Sequence, residues 1–474
     1  MTTPATAAEI DRSCRWPVGS LVLGAVFWLV MAGGLALLAA IKLHAPEFPG
    51  DSVWLTYGRV QAAAGQAFVF GFASLAGLGT AAWLTARLSE TRLVGGRGFF
   101  LAGGFWNLGV MFAVLGVLLG HSTGVEGFEA PGPAAVLLLA SYLVMAAGVL
   151  LTFLRRQARG TTIVQEYVLG ALLSFPWVFM AAEMMAVWMP LRGVLQTAAG
   201  AWGWRSLLLL WLGFLGLASL YHLLPGQTAT PVRRPSLARA GFWTLALVAG
   251  FSGIHRYHGG AMPGWMTRQG WVGAVLLALP VAIVAASLSP MLSGGSRGSR
   301  TPVRRFATGA LAALVLFGGL SVVDGLGTRS GVTQFTLFAA AVDQVYLYGF
   351  VGLALLGMIY DMIPRLLDLE WPAPGWVRAH RLLAWSAVGL WGVAHAVGGW
   401  AQGSLLKDPS IPFEVVVHRS LPYARAGSIA HGLYLLGSLA LAANLIRMLG
   451  RAIRIRVFPV VGAWLKPLQR EERA

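Results

Sequence analysis

Long apolar segments alternate with short polar ones along almost the whole chain. Apolar runs of about twenty residues, each able to cross roughly 30 Å of hydrocarbon, begin near Trp16, Ala63, Phe99, Ala134, Val164, Trp204, Ala240, Trp271, Phe306, Phe335, Leu382 and Ala426. The pattern predicts an all-α, polytopic membrane protein of about twelve transmembrane helices. It divides the chain into an N-terminal segment 1–16, a membrane domain 17–450 and a basic C-terminal tail 451–474. The first run is too long for the core of a cleaved signal peptide, so we expect it to remain as a helix.

The amino-acid composition supports a membrane protein, and the distribution of basic residues predicts its orientation in the membrane. The 474 residues are 57% hydrophobic and 11% charged, which excludes a water-soluble globule. A net charge of +17 would suggest nucleic acid in a soluble domain, but here the basic residues fall into alternate loops, as in Arg155, Arg156 and Arg159 or Arg233, Arg234 and Arg239. This bias predicts a bacterial-type inner membrane protein with both termini cytoplasmic, in contact with lipid and not with nucleic acid.

Several kinds of chemistry have no support in the sequence. The single cysteine, Cys14, excludes an internal disulfide, a CxxC redox pair and a CxxCH haem attachment site. Phosphate-binding glycine loops and the HExxH zinc motif are also absent from the sequence. The chain therefore shows no nucleotide or zinc-hydrolase signature.

The order of several short segments resembles a known family. Lys42-Leu43-His44-Ala45-Pro46 precedes a segment from Asp51 to Val60 that contains Tyr57-Gly58-Arg59, and similar fragments recur at 105–109, 242–243, 262–265, 360–364 and 398–403. Together they resemble the catalytic subunit I of the C-family, cbb-type, haem-copper cytochrome c oxidases over nearly the whole chain. The resemblance implies a twelve-helix bundle that binds two haems and one copper ion.

Most of the metal ligands that this resemblance implies are missing. The resemblance assigns Ala64 to the low-spin haem, Arg205, His255 and Arg256 to copper, and Val342 and Gln344 to the high-spin and low-spin haems. Of these six positions, His255 alone retains a histidine. A methyl group has no lone pair for iron, and an arginine side chain has no acceptor. A tyrosine that joins the family's oxygen chemistry corresponds to a position near Ala249. We therefore expect a divergent paralogue without cofactors, with haem b as the alternative.

Other polar residues suggest two further sites. His222 and His258, together with His255, stand near the ends of the sixth and seventh helices and could form an alternative metal site, although we favour polar capping. Arg205 and Arg256 need anionic partners at membrane depth, and Glu183, Asp324 and Asp343 are the carboxylates available. These five residues indicate either structural ion pairs, which we favour, or a conduit for protons or ions.

Three functions stay open at this point. We favour a non-catalytic membrane subunit that anchors partner redox proteins, among them c-type cytochromes, in a respiratory or electron-transport complex. The alternatives are a genuine cbb-type oxidase or nitric oxide reductase-like catalytic subunit and a proton or ion transporter.

Overall fold

The computed structural model describes residues 5–228, 234–293 and 301–456. Within these ranges the chain is helical, without strands, and twelve helices are long and apolar enough to cross a membrane, which confirms the predicted class and number. We label them α1 to α12: Ala7–Lys42, Tyr57–Leu88, Gly96–Leu119, Gly132–Leu154, Ile163–Trp188, Val194–Gly226, Pro235–Tyr257, Gly264–Leu292, Pro302–Ser330, Leu337–Leu367, Pro374–Leu406 and Phe413–Ile455. The predicted tail 451–474 lies outside the described residues beyond Arg456.

Local sequence signals account for several helix ends. Thr6 and Glu9 form a capping box at the start of α1, and Thr162 and Gln165 form another at the start of α5. In each, a hydroxyl accepts from a backbone N–H of the first turn that has no helical partner. Gly120 and Gly331 end α3 and α9 in the left-handed conformation, which glycine adopts without steric cost.

Three helices form the centre of the bundle. The most apolar stretches of α2, α6 and α10 are 100%, 94% and 83% buried, whereas those of the other nine spans are 39% to 50% buried. A span buried on all sides lies among other helices, and a half-buried span presents one side to lipid. The central helices are those that carry Ala64, Arg205, Val342 and Gln344.

Each central helix contains a wider, π-helical segment just beyond one of these residues. The segments are Ala67–Ala73, Leu207–Leu212 and Val345–Gly352. They begin three residues after Ala64, two after Arg205 and one after Gln344. Such segments rotate the side chains that follow and often occur at functional sites. The three π-helical segments therefore mark the level of the bundle at which Ala64, Arg205 and Gln344 lie as a candidate site.

The alternating helix directions give the bundle two ends. Loops 120–131, 258–263 and 331–336 lie at one end, which we call the Glu126 end. Asp11, at the start of α1, and Asp361, near the end of α10, lie at the opposite end, which we call the Asp361 end. The charge bias predicts that the Glu126 end faces away from the cytoplasm.

Candidate functional site

A cluster of charged side chains lies inside the bundle near the Glu126 end. Arg205 of α6 donates to Asp343 of α10 at 2.8 Å, and Arg256 of α7 donates to both oxygens of the same carboxylate at 2.8 and 3.0 Å. Asp343 thus bridges two guanidinium groups. The structure brings together three of the five residues proposed for ion pairing, from three different helices.

A fourth charged residue, Asp324 of α9, joins the cluster from the other side. Its Oδ2 atom lies 3.1 Å from Nε2 of His255 and 3.8 Å from Nε of Arg256. His255 and Asp324 have exposed side-chain fractions of 1% and 2%. We call Arg205, His255, Arg256, Asp324 and Asp343 the ion-pair cluster. Buried charges are stable only when paired, and this cluster holds two basic and two acidic groups.

Close backbone packing sets the position of the cluster. The α-helical part of α7 ends at Ala249, and a 3₁₀ turn, Ile254–Tyr257, carries His255 and Arg256. Gly253 precedes this turn with a φ of 108°, and an added Cβ atom would lie 2.9 Å from the carbonyl oxygen of Ala201 on α6. A glycine is therefore required for the turn to approach the helix that carries Arg205.

Glu183 does not join the ion-pair cluster. The Glu183 carboxylate accepts a hydrogen bond of 3.2 Å from Nε1 of Trp188, five residues later on α5. Among the described residues it has no salt bridge. The expected pairing with Arg205 or Arg256 is therefore wrong. Membrane depth alone suggested the pairing, and Asp324 and Asp343 satisfy the arginines instead.

The three histidines considered as an alternative site do not lie together. His222 lies 17 residues after Arg205 along α6, which is about 25 Å at 1.5 Å per residue, and its Nε2 atom is 3.4 Å from Asp361. His258 lies at the Glu126 end, where Nδ1 is 3.4 Å from the hydroxyl of Thr267. The expectation of one cluster was wrong because consecutive spans run in opposite directions, so the ends of α6 and α7 lie on opposite sides.

A cavity of about 500 Å³ lies beside the ion-pair cluster. Ala64 of α2 and Gln344 of α10, the two positions that the resemblance assigns to low-spin haem ligands, both line it. Arg256, Asp343 and Glu126 line it as well. Part of the space that the family gives to a haem is thus open in this chain.

The neighbouring space is closed by side chains. Val342 and Ala249 have no exposed surface. The guanidinium of Arg205 lies 5.5 Å from the ring centroid of Phe317, and the hydroxyl of Tyr346 donates to the Leu208 carbonyl at 2.9 Å. A remaining cavity lined by Phe317 and Tyr346 measures about 20 Å³. The site predicted to have lost the high-spin haem is therefore largely filled.

Sequence reasoning missed two histidines next to the larger cavity. His395 of α11 donates through Nδ1 to Oε1 of Gln344 at 2.7 Å, and Nε2 of His431 on α12 lies 3.5 Å from Nε2 of Gln344. Both rings are buried, with exposed fractions of 4% and 8%. The family resemblance offered no signal for them, since its ligands come from other helices. The sequence signal that could have identified His395 and His431 is the presence of an ionisable residue within an apolar segment.

Two glutamates of loop 120–131 face the same region. Oε2 of Glu129 accepts a hydrogen bond of 2.7 Å from Gln66. Burial raises the pKa of Glu129, and it also raises the pKa of Glu126, where the charge of Asp343 adds to the effect and the two arginines of the ion-pair cluster oppose it. These groups extend the polar region toward the end of the bundle.

The side chains at the six family positions do not fit a haem-copper centre. Nε2 of His255 is directed at Asp324, and the adjacent predicted copper positions carry guanidinium groups that are bound to carboxylates. Ala64 has no donor atom for iron, and Gln344 already contacts two histidines. In the part of the chain that the structure describes, no three histidine, cysteine, aspartate or glutamate side chains are grouped to hold a metal ion.

Comparisons with known proteins agree with the fold. The family model described as "Cytochrome C and Quinol oxidase polypeptide I" matches residues 17–433. The chain is 23% identical to the Cbb3-type cytochrome c oxidase subunit CcoN1 of Stutzerimonas stutzeri, over 88% of this chain and 91% of that protein. It is 26% identical to cytochrome c oxidase subunit 1 of Rhodobacter capsulatus, over 90% and 83%. A subunit 1 homolog of Azorhizobium caulinodans is 25% identical over 92% and 82%.

Proposed function

Since the chain belongs to the cytochrome c and quinol oxidase polypeptide I family, we propose that it is a cofactor-free membrane subunit that anchors partner redox proteins in a respiratory complex. It is a multi-pass membrane protein with the helical frame of subunit I. We further propose that it lies in the bacterial inner membrane with both termini cytoplasmic, and that its partners are other subunits of such a complex, including c-type cytochromes.

The observation that carries this proposal is the ion-pair cluster. Asp343 joins Arg205 and Arg256 at 2.8 Å each, at positions where the family resemblance places copper ligands. Two fixed positive charges would repel a copper ion. Their hydrogen bonds to Asp343, together with the salt bridge from Arg256 to Asp324, link four spanning helices. The cluster thus supports a structural role in place of the metal.

The first test is a pyridine haemochrome spectrum with copper and iron analysis of the purified chain. The proposal predicts neither haem nor copper in stoichiometric amount. A double variant, Ala64→His with Gln344→His, is the positive control, because two facing imidazoles at these positions should restore haem b binding if they are the family's low-spin positions. Stoichiometric haem b in the unaltered chain would contradict the cofactor-free proposal and favour a genuine oxidase or nitric oxide reductase-like subunit.

The second test concerns the anchoring role. The chain, carrying an affinity tag, is purified from its own membranes in mild detergent and passed over a sizing column. We expect a haem-containing partner to co-elute in a fixed ratio, with all haem assigned to that partner after separation. Elution of the chain alone under conditions that preserve other respiratory complexes would count against an anchoring subunit.

A conduit for protons or ions is the second candidate, and the polar cavity beside Asp343 is the observation that favours it. The structure also argues against a continuous polar path across the membrane. Asp343 and Asp361 on α10 are 18 residues, about 27 Å, apart. Every residue from Gly349 to Tyr360 between them is buried, so the charged regions at the two ends are separated by packed apolar structure. Loss of ion flux in proteoliposomes on Asp343→Asn, with normal assembly, would favour the conduit over the anchor.

A further inference from the structure

Two arginines lie where α9 and α11 meet, near the Asp361 end of the bundle. A Cβ atom added at Gly309 of α9 would overlap the indole of Trp385 on α11, so the two helices touch at this point. Both helices begin at the Asp361 end, and Arg305 and Arg381 precede the two contact residues by four positions each. Residues four apart share one face of a helix. The two arginines therefore lie at the same helix contact, one turn nearer the Asp361 end, and the charge of Arg305 acts on Arg381.

The side chain of Arg381 is buried without an anionic partner. Arg381 is 8% exposed, and its Nε atom is enclosed and has no hydrogen-bond partner in the described part of the chain. Its guanidinium lies 5.5 Å from the ring centroid of Trp385, while the nearby charge of Arg305 repels it. An arginine stays protonated in a protein, so it cannot become neutral. Because a buried charge is stable only when it is paired, this site needs an anion.

The described part of the chain does not supply that anion. Within residues 5–228, 234–293 and 301–456, no carboxylate forms a salt bridge with Arg305 or Arg381. Glu471 and Glu472 are the acidic residues outside these ranges. The neighbouring Arg304 is different, because it donates to two backbone carbonyls at the end of α8. The unpaired charge is thus a property of the contact between α9 and α11 and not of every arginine at this end.

The surroundings of the two arginines indicate a lipid as the source of the anion. Leu382 and Trp385 of α11 and Leu316 of α9 are 55%, 37% and 42% exposed, and on spanning helices such apolar side chains meet acyl chains. The first turns of α9 and α11 both point their positive dipole ends toward this level, which favours an anion further. A phosphate group accepts paired hydrogen bonds from guanidinium groups. A phospholipid combines this group with the acyl chains that the exposed side chains suit.

We propose that Arg305 and Arg381 bind the phosphate of an anionic phospholipid in the leaflet at the Asp361 end, with the acyl chains along Leu382 and Trp385. A headgroup of the glycerol type leaves the phosphate charge uncompensated. A zwitterionic ethanolamine headgroup adds an ammonium group, which the two arginines would repel. The proposal goes beyond the anchoring role and does not depend on it.

The test is native mass spectrometry of the full chain in detergent, with increasing amounts of phosphatidylglycerol or of phosphatidylethanolamine with the same acyl chains. The dissociation constant of the first bound lipid is measured for each. We expect the first phosphatidylglycerol to bind at least tenfold more tightly. Equal affinity for the two lipids would overturn the proposal. Inorganic phosphate at the same concentration should not displace the lipid, and displacement would overturn the lipid as the source of the phosphate.

Two variants and one matched control locate the site. Arg381→Gln and Arg305→Gln each remove one charge and should each reduce the preference for phosphatidylglycerol about fivefold, which is the effect of one arginine near a membrane surface. Arg305 is only half-buried, so its variant gives an answer even if Arg381→Gln fails to fold. Arg159→Gln changes an exposed arginine in the loop between α4 and α5, at the same end, and should keep the full preference. An equal loss in Arg159→Gln would show a general effect of charge and refute the location.

A further variant tests whether the chain's own tail supplies the anion instead. The double change Glu471→Gln with Glu472→Gln removes the acidic side chains outside the described residues. We expect it to prefer phosphatidylglycerol as strongly as the unaltered chain does. A preference that appears only in the double variant would mean that the tail carboxylates occupy the site, and it would overturn the lipid proposal.

Discussion

Neutralising Asp343 is the most direct way to test whether the ion-pair cluster stabilises the fold. The substitution Asp343→Asn keeps the shape of the side chain but removes the charge that two guanidinium groups share. Arg205, with 8% of its side chain exposed, would lose its carboxylate and keep its contact with the Phe317 ring. Arg256 would keep the Asp324 carboxylate, at 3.8 Å, and the Ala339 carbonyl, at 3.4 Å.

The expected cost follows from burial. Removing one partner of a fully buried pair costs about 3 to 5 kcal/mol. The Asp343 side chain is 31% exposed, because it lines the cavity of about 500 Å³, so water can screen part of the loss and about 2 to 3 kcal/mol is expected. The midpoint shift per kcal/mol falls with chain length, so the thermal midpoint should fall by roughly 3 °C in a chain of this size.

The single cysteine provides the assay. Cys14 is fully buried in α1, so a thiol-reactive fluorophore that labels it on heating reports opening of the fold without an engineered cysteine. Asp408→Asn is the matched control, since Asp408 lies in an exposed loop and accepts only from Ser410. A midpoint for Asp343→Asn equal to that of Asp408→Asn would refute the argument. The fourfold change Arg205→Met, Arg256→Met, Asp324→Asn and Asp343→Leu should recover stability, because it removes both guanidinium charges and both carboxylate charges of the cluster.

Three further predictions use the same thermal assay. Gly403→Ala should destabilise the fold strongly, because its Cβ would overlap the Val332 carbonyl, whereas Gly389→Ala on the same helix meets nothing within 4 Å and should be neutral or stabilising. Asp11→Asn should cost about 2 kcal/mol, because the carboxylate accepts two hydrogen bonds from one arginine, at 2.8 and 2.7 Å, and one from Trp83; unchanged stability would contradict a structural role. Burial raises the pKa of Glu126 in the folded state above 4.5, so the native state binds more protons than the unfolded state, and stability falls as pH rises from about 4.5 through the folded pKa. Glu126→Gln should reduce this fall in stability. A pH profile of stability that the variant leaves unchanged would count against the role of Glu126.

The fold could be predicted from the sequence because a membrane imposes a simple rule. Each crossing needs about twenty apolar residues with internally satisfied backbone hydrogen bonds, so the twelve apolar runs gave the twelve helices. The same rule says little about which helices lie in the centre. Hydropathy in lipid does not distinguish a face that meets another helix from one that meets acyl chains. The central position of α2, α6 and α10 was therefore not predicted from the sequence.

The ion pairs of the site could be predicted because buried charges need partners. The grouping of the histidines could not be predicted without the direction of each helix. Arg205 and Arg256 required anions, and Asp324 and Asp343 were among the few at membrane depth, so those partners could be named. Glu183 satisfied the same criterion, but its carboxylate accepts a hydrogen bond from Trp188 of its own helix and contacts neither arginine. The grouping of His222 with His258 failed because distance along the chain was used without the alternation of helix direction.

The two spaces beside the ion-pair cluster are packed differently, and the chemistry of their walls explains why. Around Val342 the packing is nearly complete, with Phe317 and Tyr346 beside Arg205 and apolar side chains lining the rest. Between Ala64 and Gln344 a cavity of about 500 Å³ is lined by Arg256, Asp343 and Glu126. An apolar void loses contacts and costs stability, so apolar walls close upon it. Charged walls can hydrogen-bond to water, so a polar space of this size is compatible with a stable fold.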